Sequence, residues 1–91
     1  MHPDKFDFVL MDIIHYHKKN SKGTHIRLSD LESTFWTRIQ HDVSNHQSSL
    51  NLGERITQLY LEGFILFRNG YALTRKGKES LSSFVREAER L

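Results

Sequence analysis

The chain has 91 residues, 37% hydrophobic and 26% charged, which fits one small folded domain over 1–91 and excludes a disordered chain. It has no cysteine, so a disulfide scaffold, a thiolate metal site and a cysteine nucleophile are all excluded. Thirteen lysines and arginines against eleven acids leave a net charge of +2, too mild to identify a partner by itself.

Phe6, Val9, Leu10, Ile13 and His17 recur at helical spacing and predict a first helix over 4–20, entered near Pro3 and closed by Asn20-Ser21-Lys22-Gly23. Phe8, Met11, Ile14 and Tyr16 widen its apolar surface beyond one stripe, which calls for cover by another helix or another subunit. Thr24-His25-Ile26-Arg27-Leu28 alternates and predicts a short strand over 24–28. Ser29 and Glu32 stand at capping-box spacing and open a second helix over 29–40, which buries Leu31, Phe35 and Ile39 with Trp36 beside them. A polar connector runs from His41 to Gln47. Ser48 is the expected N-cap of a third helix over 48–62, with Leu52, Ile56, Leu59 and Tyr60 as its inner face and Gly63 as its stop. Two β-rich runs flank Asn69-Gly70 and predict a hairpin over 64–73 with a two-residue type I′ turn. Thr74 caps a last helix over 75–90, with Leu81, Phe84, Val85, Ala88 and Leu91 on one face.

The expected class is therefore mainly α with a small antiparallel sheet (α+β), in the order α-β-α-α-β-β-α. A lone hairpin is marginal in water, so the strand at Ile26 should supply a third member. Helices beside a small antiparallel sheet form the winged-helix arrangement, a relative of the helix-turn-helix. Two segments carry a resemblance to a known group. Gln47-Ser48-Ser49-Leu50-Asn51-Leu52, continuing through Leu59-Tyr60-Leu61-Glu62-Gly63-Phe64-Ile65, resembles the recognition helix and wing entry of MarR- and PadR-type winged-helix regulators. Tyr71-Ala72-Leu73-Thr74-Arg75-Lys76-Gly77 is similar to the tyrosine-x-leucine-threonine-x-x-glycine run that leads from wing to final helix in those families. The resemblance covers about residues 26–82. The connector here is longer than usual in those proteins, and the wing is shorter.

The resemblance implies sequence-specific binding of double-stranded DNA by a small dimeric transcriptional regulator. Its third helix would enter the major groove and its wing would lie on the backbone. The implied contact residues are Ser48, Ser49, Asn51, Glu54, Arg55 and Gln58 on that helix, Arg68 and Asn69 at the wing tip, and Lys76 behind it. Asn51 and Gln58 suit adenine, and Arg55 suits guanine or a phosphate. The first and last helices would pair the subunits of a homodimer. Two acid-free basic segments fit this reading: Lys18, Lys19, Lys22 and Arg27 in one, Arg68, Arg75, Lys76 and Lys78 in the other. The same residues also fit ordinary solvated loops and an ordinary polar helix face. The alternative function is a winged-helix module for protein–protein contact without DNA binding.

Six histidines raise the question of a metal. His15 and His17 point to different sides of a helix, while His41 and His46 share the connector. Without cysteine, and with no carboxylate at ligand spacing, no metal and no other cofactor is expected. There is no phosphate-cradling glycine loop, nucleophile elbow or His-Glu-x-x-His, so no enzymatic activity is expected either. No apolar stretch is long enough to span a membrane. The first residues carry two acids and no apolar block behind a basic flank, so no signal peptide is expected. The expected location is the cytoplasm, or the host-cell interior for a viral or plasmid protein.

Overall fold

Asp4 and Asp7 start the first helix by capping it reciprocally. The Asp4 carboxylate accepts from the backbone N–H groups of Phe6 and Asp7, both at 3.0 Å, while Asp7 Oδ2 accepts from the Asp4 N–H at 2.9 Å. This is a capping box with aspartate in the returning position. In the computed structural model, which describes residues 3–20, 25–40 and 51–89, the helix that follows is α1, Lys5–Asn20. It buries Leu10, Met11, Ile13 and Ile14. Most of the broad apolar surface read from the sequence is covered within the chain, since α1 packs against three other helices and a strand, while Tyr16 stays 59% exposed.

Arg27 is extended, and α2, Leu28–Ile39, begins directly after it. Ser29 therefore lies inside the first turn, and the expected Ser29–Glu32 capping box does not form; Arg27 takes the N-cap position and makes no side-chain cap hydrogen bond. The cause is the preceding residue. Ile26 forms an antiparallel bridge to Tyr71, its N–H donating to the Tyr71 carbonyl at 3.0 Å and its carbonyl accepting from Tyr71 at 2.7 Å. That bridge fixes the chain so that the helix must start at Leu28, and the expected strand over 24–28 is reduced to this one residue. Thr24 lies outside the described residues. Leu31, Phe35 and Ile39 are buried as expected, with Trp36 edge-on to Phe35 at 5.3 Å. Arg38 ties α2 to α1 through Asp12 at 2.6 Å.

Helix α3, Leu52–Leu61, is capped by Asn51, whose side chain accepts from the Glu54 N–H at 3.0 Å. The described helix thus begins at Leu52 rather than Ser48, and Ser48 itself lies outside the described residues. Leu52, Ile56 and Leu59 are buried, but Tyr60, expected on the inner face, is 50% exposed. The helix ends as Gly63 predicted. At φ 83° Gly63 reverses the chain, its N–H bonding the Tyr60 carbonyl and the Phe64 N–H the Leu59 carbonyl, the paired bonds of a Schellman motif.

Strands β1, Ile65–Phe67, and β2, Tyr71–Leu73, pair antiparallel with Ile65 opposite Leu73 and Phe67 opposite Tyr71. The loop between them is Arg68-Asn69-Gly70, three residues rather than the expected two. A two-residue type I′ turn would pair Arg68 with Tyr71 and occupy the Tyr71 N–H and carbonyl. Both are already engaged by Ile26. Asn69 takes the left-handed conformation at φ 58°, and Gly70 sits at φ 148°. A β-carbon on Gly70 would lie 2.8 Å from the His25 β-carbon and 2.9 Å from the Ile26 carbonyl oxygen, so the third-strand bridge itself demands glycine there.

Thr74 opens α4, Arg75–Glu89, by accepting from the Gly77 N–H at 3.1 Å, as the sequence predicts. Leu81 is buried and Phe84 stacks on Phe8 of α1, centroids 4.2 Å apart. The described fold is mainly helical, with a small antiparallel sheet. Among the described residues no helix is long and apolar enough to cross a membrane.

A β-carbon at Gly77 would overlap the Phe64 carbonyl oxygen, whereas Gly53 is exposed and has only the Asn51 side chain within 4 Å. Gly77→Ala is expected to lower stability by about 2 kcal/mol, a fall in Tm of about 10 °C for a domain of this size. Gly53→Ala should instead raise stability by about 0.5 kcal/mol. Thermal denaturation followed by circular dichroism reads both.

Candidate functional site

With Leu52, Ile56 and Leu59 turned into the core, the helical period places Glu54, Thr57, Gln58 and Leu61 on the outer face of α3, all exposed. Next to this face stands the hairpin, whose tip presents Arg68 and Asn69 to solvent. These are the sequence-predicted residues that the fold leaves open: Glu54, Gln58, Arg68 and Asn69. Ser48 and Ser49 lie outside the described residues.

Three others have structural work. Asn51 points its side-chain oxygen at the start of its own helix. Lys76 reaches back from α4 to donate to the Glu62 carbonyl at 2.7 Å, with its ammonium 4.5 Å from the centroid of the Phe64 ring. It satisfies a carbonyl at the negative end of α3. Arg55, the only cation of α3, leans away from the outer face toward α1. Its Nη1 lies 2.7 and 2.8 Å from the two Asp4 oxygens and 3.2 Å from Asp7 Oδ1, and its guanidinium rests near the Phe6 ring. Two carboxylates facing one guanidinium give this cluster a net charge of −1 when both are ionised.

The remaining cations are spread out. Arg75 pairs with Glu79 at 3.2 Å, both well exposed, while Arg27, Arg68 and Lys78 are exposed without an ion pair among the described residues. Lys22 lies outside the described residues, as do His41 and His46. His15 is exposed on α1 and His17 partly so. Among the described residues no three histidines, aspartates or glutamates converge as a metal-holding group.

No protein-family model, curated protein or solved structure matches this chain.

Sequence reasoning missed the apolar side of this region. Ile56, Thr57, Tyr60, Phe67 and Tyr71 line an open groove of about 200 Å³ between α3 and the hairpin. Tyr60, Leu61 and Phe67 are each at least half exposed. The signal for Tyr60 was present: its helical angle falls well off the Leu52–Ile56–Leu59 stripe. For Phe67 there was none, since alternation points it to the same side as the buried Ile65, yet it is 55% exposed.

Charge and burial act in opposite directions within the Asp4–Asp7–Arg55 cluster. Burial pushes Asp4 up, but the hydrogen bond from Arg55, the Asp7 N–H and the Arg55 charge outweigh it, and Asp4 titrates below its ordinary 3.8. Asp7 is 3% exposed, and burial, reinforced by the Asp4 charge, holds it above 3.8 despite its hydrogen bonds. Burial opposes the charge on Arg55, yet the two aspartates raise its affinity for its proton further. By linkage, the Asp4 contribution to stability is present above pH 3.8 and is lost as pH falls through its depressed value. The Asp7 contribution has the opposite sign: it is present below 3.8 and is lost as pH rises through the raised value. Asp4→Asn is therefore expected to lower Tm near neutral pH and to approach wild type as pH falls below 3.8 and through the depressed Asp4 value. Asp7→Asn should gain on wild type as pH rises above 3.8 through the raised Asp7 value. A series of thermal melts across pH checks both signs.

Proposed function

We propose that this chain is a winged helix-turn-helix module that binds double-stranded DNA as a small dimeric transcriptional regulator. The observation that carries this reading is the open outer face of α3, with Glu54, Thr57 and Gln58, standing beside a hairpin tip that displays Arg68 and Asn69. A helix offered this way is suited to the major groove, with the hairpin on the adjoining backbone. Gln58 has the donor and acceptor pair that matches adenine, and Glu54 accepts from the amino group of cytosine. Arg27, Arg68 and Lys78 supply exposed cations for phosphates.

A second copy has a place to dock. Phe8 and Val9 of α1, Leu81, Phe84 and Val85 of α4, and the Asp12–Arg38 pair line an open groove of about 320 Å³. Val85 is 42% exposed there. A two-fold dimer that reads one duplex needs its two α3 helices on half-sites about 34 Å apart.

One observation favours a second reading, a protein-binding module. The groove between α3 and the hairpin is apolar, with Tyr60 and Phe67 exposed on its rim, while the one cation of α3 is held by aspartates. Fluorescence anisotropy with a mixed-sequence duplex separates the two. With two or three phosphate contacts per subunit, raising the salt from about 50 to about 200 mM should weaken binding by about 10²–10³-fold. Absence of binding at the lower salt would overturn the DNA reading in favour of the second. For the dimer, Val85→Glu is expected to halve the mass measured by light scattering while leaving the circular dichroism spectrum unchanged. A wild-type chain that runs as a monomer at micromolar concentration would remove the dimer.

A further inference from the structure

Arg55 combines three features that an ordinary structural ion pair does not need. It is the only positive charge on α3, it sits one helical turn from Gln58 at the border of the outer face, and two acids confront it rather than one. The acids are unequal. Asp7 is 4% exposed at its side chain and fixed by the Asp4 N–H, whereas the Asp4 side chain is 49% exposed and reachable from water. All the ion-pair bonds run through Nη1; Nε and Nη2 make no hydrogen bond among the described residues. The guanidinium therefore still has an unused edge of the kind that grips a phosphate with two parallel bonds.

The Asp4 carboxylate resembles a phosphate in its charge and its oxygen acceptors. A DNA backbone approaching the border of α3 meets a cluster of net charge −1 and is repelled while Asp4 holds the arginine. If Arg55 exchanges Asp4 for a phosphate while Nη1 stays on Asp7, Asp4 keeps its bonds to the N–H groups of Phe6 and Asp7, so the helix start survives the exchange. We infer that Asp4 is an autoinhibitory contact: it competes with a DNA phosphate for Arg55 and so sets the affinity of the α3 face for nucleic acid. The inference rests on the DNA-binding reading above and deepens it by naming a latent phosphate ligand and the residue that restrains it.

Asp4→Asn tests this directly, because asparagine caps a helix as well as aspartate does but carries no charge. Asp4→Ser is a second neutral cap should the first variant fold poorly, and circular dichroism verifies each. Anisotropy titrations with the same duplex are run for wild type, Asp4→Asn and the double variant Asp4→Asn with Arg55→Gln. Freeing Arg55 is expected to tighten binding about tenfold and to steepen the slope of log affinity against log salt by about 0.9 per subunit, one added phosphate contact. The double variant should lose both the gain and the extra slope. If wild type binds DNA but Asp4→Asn binds no better, the restraint is overturned and DNA binding stands. A gain that persists in the double variant assigns the effect to the lost negative charge alone and overturns the role of Arg55. If neither wild type nor Asp4→Asn binds at about 50 mM salt, where phosphate contacts are strongest, the DNA reading falls and the inference falls with it.

Discussion

The carbonyls at the end of α3 are the junction on which the other elements depend. A helix leaves its last carbonyls without partners, and here Glu62, Gly63 and Phe64 find theirs on the far side of the hairpin. Lys76 donates to the Glu62 carbonyl, the Thr74 hydroxyl bonds the Gly63 and Phe64 carbonyls, and the Thr74 N–H donates to Phe64. Gly77 then brings the backbone of α4 against the Phe64 carbonyl, closer than any side chain would allow. Residues 62–64 and 74–77 thus clamp the base of the hairpin. The angle between α3, hairpin and α4 follows from this packing of polar backbone, with the apolar core filling the space behind it.

A second constraint works at the other end of α3. There the Asp4–Asp7–Arg55 cluster attaches the helix to the start of α1 across about fifty positions of sequence. Exposed ion pairs contribute little to stability, and Asp4 is exposed enough to belong with them. Asp7 is different, because a buried carboxylate stripped of its arginine would be left uncompensated. The two acids consequently have separate roles: one secures the helix, and the other decides how available the arginine is. The outer face of α3 carries Glu54, Thr57 and Gln58 with Leu61 at its end, and the exposed aromatic rings gather on its hairpin side.

Features that depend on near neighbours in sequence were legible. Gly63 as a helix stop, Thr74 as a cap, and the Leu31–Phe35–Ile39 face all rest on contacts within a turn or two, and all are present. The hairpin was legible in place but not in loop length, since the decisive hydrogen bonds of Tyr71 go to Ile26, 45 positions earlier. The same bridge displaced the start of α2 and left the Ser29–Glu32 spacing unused. Of the candidate contact residues, exposure could be read for Glu54, Gln58, Arg68 and Asn69. Arg55 and Lys76 could not be judged this way, because a charge at a surface position says nothing of a partner that the fold brings from another element. Polar side chains near helix ends are engaged by carbonyls and caps before any ligand arrives.

Trp36 is the only tryptophan in the chain, and it lies partly buried on α2 against the edge of Phe35. Its emission is therefore an optical probe already built into the core. It belongs neither to the outer face of α3 nor to the hairpin. Unfolding would change its surroundings directly, whereas a partner settling on the α3 face would leave its indole in place. Trp36 emission thus follows folding separately from binding at the α3 face, without introducing a dye into the surface under study.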